Sequence, residues 1–101
     1  MNLIDYSGNA IRLTDERLAH IKEHPEMIIN TSKISEILTN PDIVVKSKSD
    51  EEARLYYKYY AGLSVGDKNM CVVVKFKQDD AFAITAYLTD SIKKGDVIWK
   101  K

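Results

Sequence analysis

Met70-Cys71-Val72-Val73-Val74-Lys75-Phe76-Lys77-Gln78-Asp79-Asp80-Ala81-Phe82-Ala83-Ile84-Thr85-Ala86-Tyr87-Leu88 is the stretch on which the fold turns. A β-branched apolar run, a polar break at Lys77–Asp80 and a second alternating run read as two strands joined by a tight turn. Upstream, Arg54–Ala61 holds Tyr56, Tyr57, Tyr59 and Tyr60 and extends the β-rich region. Ile43–Lys46 is a shorter β-branched piece, and Val97-Ile98-Trp99 reads as a last, edge strand. Asp50-Glu51-Glu52 and the glycine-bearing Gly62–Asn69 read as loops between strands. Toward the N-terminus the period becomes helical. Thr14-Asp15-Glu16 offers a cap and two acids to a helix running to about His24, where Pro25 stops it. Ile34, Ile37 and Leu38 stripe a second helix from Thr31 or Ser32 to Thr39, and Asn40-Pro41-Asp42 turns out of it. Ser7-Gly8-Asn9, between Leu3–Tyr6 and Ala10–Leu13, reads as a small hairpin or turn. Helices followed by an antiparallel meander predict an α+β fold with the helices on one sheet face.

A chain of 101 residues is one domain's worth, residues 1–101, with room for a single core. Fifteen basic residues cancel fifteen acidic ones, which excludes a strongly basic coat for non-specific nucleic-acid binding but leaves room for a local basic patch. No apolar run is long enough for a bilayer, and Met1-Asn2-Leu3-Ile4-Asp5 lacks the basic-then-apolar order of a secretory signal. The lone Cys71 sits in an apolar run and reads as an inert buried thiol. The expectation is a cytoplasmic protein without membrane contact.

Helices cover one side of a small sheet, so alternation names the side chains left over. Ala83, Thr85, Tyr87 and Thr89 form the more polar set of their strand, against Phe82, Ile84, Ala86 and Leu88. The tyrosine strand splits into Arg54, Tyr56, Lys58, Tyr60 and Leu55, Tyr57, Tyr59. Pairing the polar sets predicts an open face that carries hydroxyls and cations together, suited to an anionic ligand.

The stretch with the most chemical content is His20-Ile21-Lys22-Glu23-His24-Pro25-Glu26, which holds both histidines of the chain. Spaced four apart, they would share a helical face with Arg17. Imidazole suits proton transfer near neutrality, though histidines at a helix C-terminus also answer its dipole. Such a pair can chelate a metal, but no third ligand and no H-E-x-x-H order accompanies it, and no metal or other cofactor is expected. Neither a phosphate-cradling P-loop nor a G-x-S-x-G elbow is present. The tyrosine cluster suits base stacking as well as it suits strand packing.

Taken in order, the helix ending in His20-Ile21-Lys22-Glu23-His24-Pro25-Glu26, the Asn40-Pro41-Asp42-Ile43-Val44 segment, Arg54-Leu55-Tyr56-Tyr57 and Ile84-Thr85-Ala86-Tyr87 resemble the small phage-associated nuclease-like families of the barnase, EndoU, colicin and RelE superfamily. The resemblance implies N-terminal helices packed on one face of a four- to five-stranded antiparallel sheet, with metal-independent RNA cleavage on the exposed face. It implies a catalytic set of His20, Arg54, Thr85 and Tyr87, with His24 in support. In metal-free cleavage the neighbouring 2′-hydroxyl is the nucleophile, so the protein need only move protons and stabilise charge on phosphate. His20 would be acid or base, Arg54 would grip the phosphate, and Thr85 and Tyr87 would orient it. Tyr56 or His24 would serve the second proton transfer, and Lys58, Lys93 and Lys94 would attract the anion. RNA is the expected partner, with an antitoxin or immunity protein as a second one. A catalytically silent domain of the same fold, binding a protein or a nucleotide, is the alternative.

Overall fold

The computed structural model describes residues 1–101. The chain opens with a hairpin, β1 (Asn2–Ile4) and β2 (Ala10–Arg12), followed by α1 (Asp15–Ile21), a 3-10 turn over Pro25–Met27 and α2 (Lys33–Thr39). Five strands complete it: β3 (Ile43–Ser47), β4 (Ala53–Leu63), β5 (Gly66–Lys77), β6 (Asp80–Thr89) and β7 (Gly95–Lys100). All seven strands join one sheet in the order β1-β2-β6-β5-β4-β3-β7. Pairing is antiparallel except where β2 lies parallel to β6 at Arg12 and Phe82. No helix is long and apolar enough to cross a membrane.

This corrects the four- to five-stranded antiparallel sheet expected under N-terminal helices. The sheet is seven-stranded and mixed, a hairpin precedes the helices, and each helix has only seven residues. Three-residue strands carry too little pattern to be recognised locally. β1 and β2 form because Met1 and Leu13 exchange backbone hydrogen bonds and Ile11 is fully buried. Helices this short are not stable alone and depend on tertiary burial. Ile21, Ile34, Ile37 and Leu38 supply it against Val44, Tyr56, Met70, Val72 and Val74 of the sheet. Helix α1 also stops before His24, which takes the extended conformation that a following proline requires. The sheet curls around this core until Tyr6, just after β1, meets Trp99 of β7 with ring centroids 4.9 Å apart. It also meets Tyr56 edge-on at 6.1 Å.

Two departures from simple alternation decide which side chains share a face. In β6, Val73 pairs Thr85 while Val74 pairs Ala83, so Ile84 is a bulge. Ala81, Ala83 and Ala86 therefore line the helix side. Phe82, Thr85 and Tyr87 face away from it, opposite Lys75, Val73 and Cys71. In β4 the set Arg54, Tyr56, Lys58 and Tyr60 lies under the helices rather than on the open face, since Arg54, Tyr56 and Lys58 pair Val74, Val72 and Met70. The polar tips find partners there. Tyr56 donates to Asp5 Oδ2 (2.6 Å), Tyr60 donates to Glu36 Oε1 (2.8 Å), and Lys58 Nζ donates to the Asn40 carbonyl (2.9 Å).

The connection from β6 to β7, Asp90–Lys94, must pass β5, β4 and β3 to reach the far edge. It crosses the face opposite the helices, where the Lys93 N–H donates to the Tyr57 hydroxyl (3.1 Å). The two-residue turn between β5 and β6 places Gln78 at φ 33°, a left-handed conformation strained for any residue with a Cβ. Gln78→Gly should therefore stabilise the protein by about 0.5–1 kcal/mol. Urea denaturation checks this, and an unchanged or lower midpoint refutes it.

Candidate functional site

Four cavities mark the surface, and charge separates them. One of about 210 Å³ is framed by Met1, Leu3, Leu13, Leu18 and Ile34 together with Thr31, Ser32 and Ser35, a mainly apolar lining without a lysine or arginine. Two others meet at the β5–β6 turn, where Asp79 and Asp80 line both and would repel one. The fourth, about 270 Å³, opens on the face opposite the helices. Thr85, Tyr87, Ser47, Ser49 and Lys93 bring hydroxyls and an ammonium to it, over a floor of Leu55 and Val73.

Each element delivers one part. The Ile84 bulge re-aims β6 so that Thr85 and Tyr87 point into this cavity. Ser47 ends β3 and folds the next turn, since its hydroxyl accepts the N–H groups of Ser49 (3.2 Å) and Asp50 (3.3 Å). Asp50 also lines the rim, but Lys75 Nζ lies 3.0 Å from its carboxylate. The Lys75 hydrogen bond, together with the N–H of Glu52, holds the Asp50 carboxyl below its ordinary range. It is therefore a poor base. Burial holds the Tyr87 hydroxyl well above its ordinary value, with Cys71 adding to the effect. Burial likewise pushes Tyr57 up to about 12 and the Cys71 thiol up to about 11. At neutral pH all three keep their protons, so Tyr87 can donate a hydrogen bond to an anion and Cys71 is no nucleophile.

The expected constellation is only partly assembled. Thr85 and Tyr87 share the cavity. Arg54 lies on the opposite face, its guanidinium 4.2 Å above the Phe76 ring and without an ion-pair partner. Tyr56 is fully buried and Lys58 is tied to the Asn40 carbonyl, both on that same helix side. His20 is exposed on α1, which packs along β6, with its Nδ1 3.4 Å from Glu23. His24 is exposed at the head of the 3-10 turn, not on the helix with His20. Lys94 is exposed on the crossing segment. No three His, Cys, Asp or Glu side chains converge as a metal ion would require.

Ser47 and Ser49 were not legible as site residues. Ser47-Lys48-Ser49-Asp50 signals a turn, and that turn is present; only the strand order shows that it closes a cavity. Lys93 was legible as a cation but not as part of this cavity, because its place depends on the crossing.

Residues 2–100 match the model of a family described as phage-Barnase-EndoU-ColicinE5/D-RelE like nuclease2. No curated protein and no solved structure matches the chain.

Proposed function

Because this chain belongs to the phage Barnase-EndoU-ColicinE5/D-RelE-like nuclease family, we propose that it cleaves single-stranded RNA without a metal, by attack of the 2′-hydroxyl on the adjacent phosphate. The observation that carries this reading is the cavity opposite the helices. It alone among the four combines hydroxyl donors with a lysine side chain, while its one carboxylate is neutralised by Lys75. In this reading Thr85, Tyr87 and Ser47 donate hydrogen bonds to the phosphate, and Lys93 stabilises the charge that grows on it. The family resemblance assigns proton transfer to His20, with His24 as the second imidazole; both stand on the helix side and outside the cavity, so in this reading the bound strand must pass around the β6 edge to meet them. Arg54, whose guanidinium is stacked on the Phe76 ring, is given no part in the reaction.

The Asp90–Lys94 crossing over the site supports a single strand as substrate, since a duplex laid on the sheet would collide with it. Incubation with a defined RNA in the presence of a chelator tests the proposal. The expected products end in a 2′,3′-cyclic phosphate, while the same sequence as a duplex, or with 2′-deoxyribose at the cut site, stays whole. His20→Ala should slow cleavage about 100-fold or more. RNA left intact by the parent protein, or cut equally fast by His20→Ala, would overturn the proposal.

One observation favours a second reading: no imidazole lines the cavity itself. A domain that binds RNA without cutting it would then show salt-dependent binding, weakened by Lys93→Met, and no turnover at any pH.

A further inference from the structure

We propose that Tyr57 is a positioning residue for this cavity: its hydroxyl, by accepting the Lys93 N–H, holds the β6–β7 crossing against the sheet so that the Lys93 ammonium stands over the phosphate site. The kinetic part of the inference rests on the cleavage reading; the structural part does not.

The crossing is short. Only six steps lead from Thr89 to Gly95, roughly 20–22 Å when fully extended, and they carry the chain past β5, β4 and β3. Its ends are fixed. Asp90 is 2.6 Å from Lys68 Nζ, and the Ser91 N–H donates to the Thr89 hydroxyl (3.3 Å). At the other end, a Cβ on Gly95 would run into the Lys46 carbonyl, so β7 can join β3 this closely only through glycine. Between these ends Ile92–Lys94 makes one hydrogen bond to the sheet, from Lys93 N–H to Tyr57 (3.1 Å). The acceptor is well fixed, because the Tyr57 ring is fully buried with Val45, Leu55 and Cys71. Two chemically distinct parts of Lys93 thus do different work. The backbone N–H sets the height of the strap, and the side chain lines the cavity.

Amide exchange in the unmodified protein tests the first half. The Lys93 amide should exchange more slowly than those of Ile92 and Lys94, and equal rates at all three would overturn the inference. Tyr57→Phe keeps the ring and removes only the acceptor. It should erase the Lys93 protection while leaving the β4 amides protected, and lower kcat/KM for RNA about tenfold, the scale of one ordinary hydrogen bond. Lys93→Arg should keep most activity. In a Lys93→Met background Tyr57→Phe should cost nothing further, because it acts through that ammonium. Full additivity in the double variant would overturn the proposal. Were the parent to leave RNA intact, the cleavage reading alone would fall, and the exchange rates would still decide where the strap is held.

Discussion

Lys93→Met should lower RNA cleavage about 100-fold or more, the usual loss when one pre-placed donor to a developing oxyanion is removed. The ammonium is the only cation lining the cavity, and the neighbouring Lys75 is spent on Asp50. Hydroxyl dipoles from Thr85, Tyr87 and Ser47 cannot replace a full charge on a phosphate gaining negative charge. Tyr87→Phe should cost less, since it removes one neutral donor and keeps the ring. Arg54→Met provides the contrast. Its guanidinium sits on Phe76 across the sheet, so its loss should change cleavage less than threefold while costing about 1 kcal/mol of stability from the lost cation–π contact. The pH profile adds a second check. Tyr87 and Cys71 both stay protonated near neutrality, so neither can produce a limb between pH 6 and 8, and Tyr87→Phe should leave the shape of the profile in that range unchanged. Single-turnover rates on one defined RNA decide among these outcomes. Cleavage by Lys93→Met within threefold of the parent, or an equal loss in Arg54→Met, would dismantle the site as drawn.

Legibility followed pattern length. β4, β5 and β6 are ten to twelve residues each and were recognisable from β-branched and aromatic runs. The first helix was recognisable from its cap and first-turn acids and the second from its apolar stripe, though Pro25 acts three residues earlier than a simple stop would suggest. The three-residue β1 and β2 offered no such run, and their place beside β6 is set by long-range pairing. Alternation failed in β4 for a specific reason. It treats tyrosine hydroxyls and lysine amines as solvent-seeking, whereas Asp5, Glu36 and the Asn40 carbonyl wait for them on the helix side. Leu55 and Tyr57 were consequently left for the face under the crossing. In β6 the Ile84 bulge shifted which alanines face the core, but Thr85 and Tyr87 came out on the expected side. That side was legible; its roof was not, because nothing local in Asp90–Lys94 reveals that β7 pairs with β3 rather than with β6.

Asp5→Ala should cost about 3 kcal/mol of stability, because it orphans a buried hydroxyl and unties a turn in one step. Asp5 is 3% exposed. Its carboxylate accepts from the N–H groups of Ser7 (2.9 Å) and Asn9 (2.8 Å), from Asn9 Nδ2 (3.1 Å) and from the Tyr56 hydroxyl (2.6 Å). The first three hold the β1–β2 turn; the fourth ties that turn to the middle of the sheet. Tyr56→Phe removes only the last, leaves the other three in place, and should cost about 1–2 kcal/mol. Alkaline titration separates the two roles. Burial first, and the Asp5 hydrogen bond second, keep the Tyr56 proton bound far above the ordinary tyrosine range. An unfolded tyrosine ionises near pH 10. Above that pH the unfolded chain sheds a proton that the native state retains, so this contribution is fully present below about pH 10 and drains away as pH rises. Tyr56→Phe should therefore flatten the fall in stability between pH 10 and 12, whereas Asp5→Ala, which also unties the turn, should lower stability further than Tyr56→Phe at pH 7. Urea midpoints across that range give the answer. A Tyr56→Phe variant whose stability drops as steeply above pH 10 as the parent's would show that this hydroxyl is not the group holding the proton.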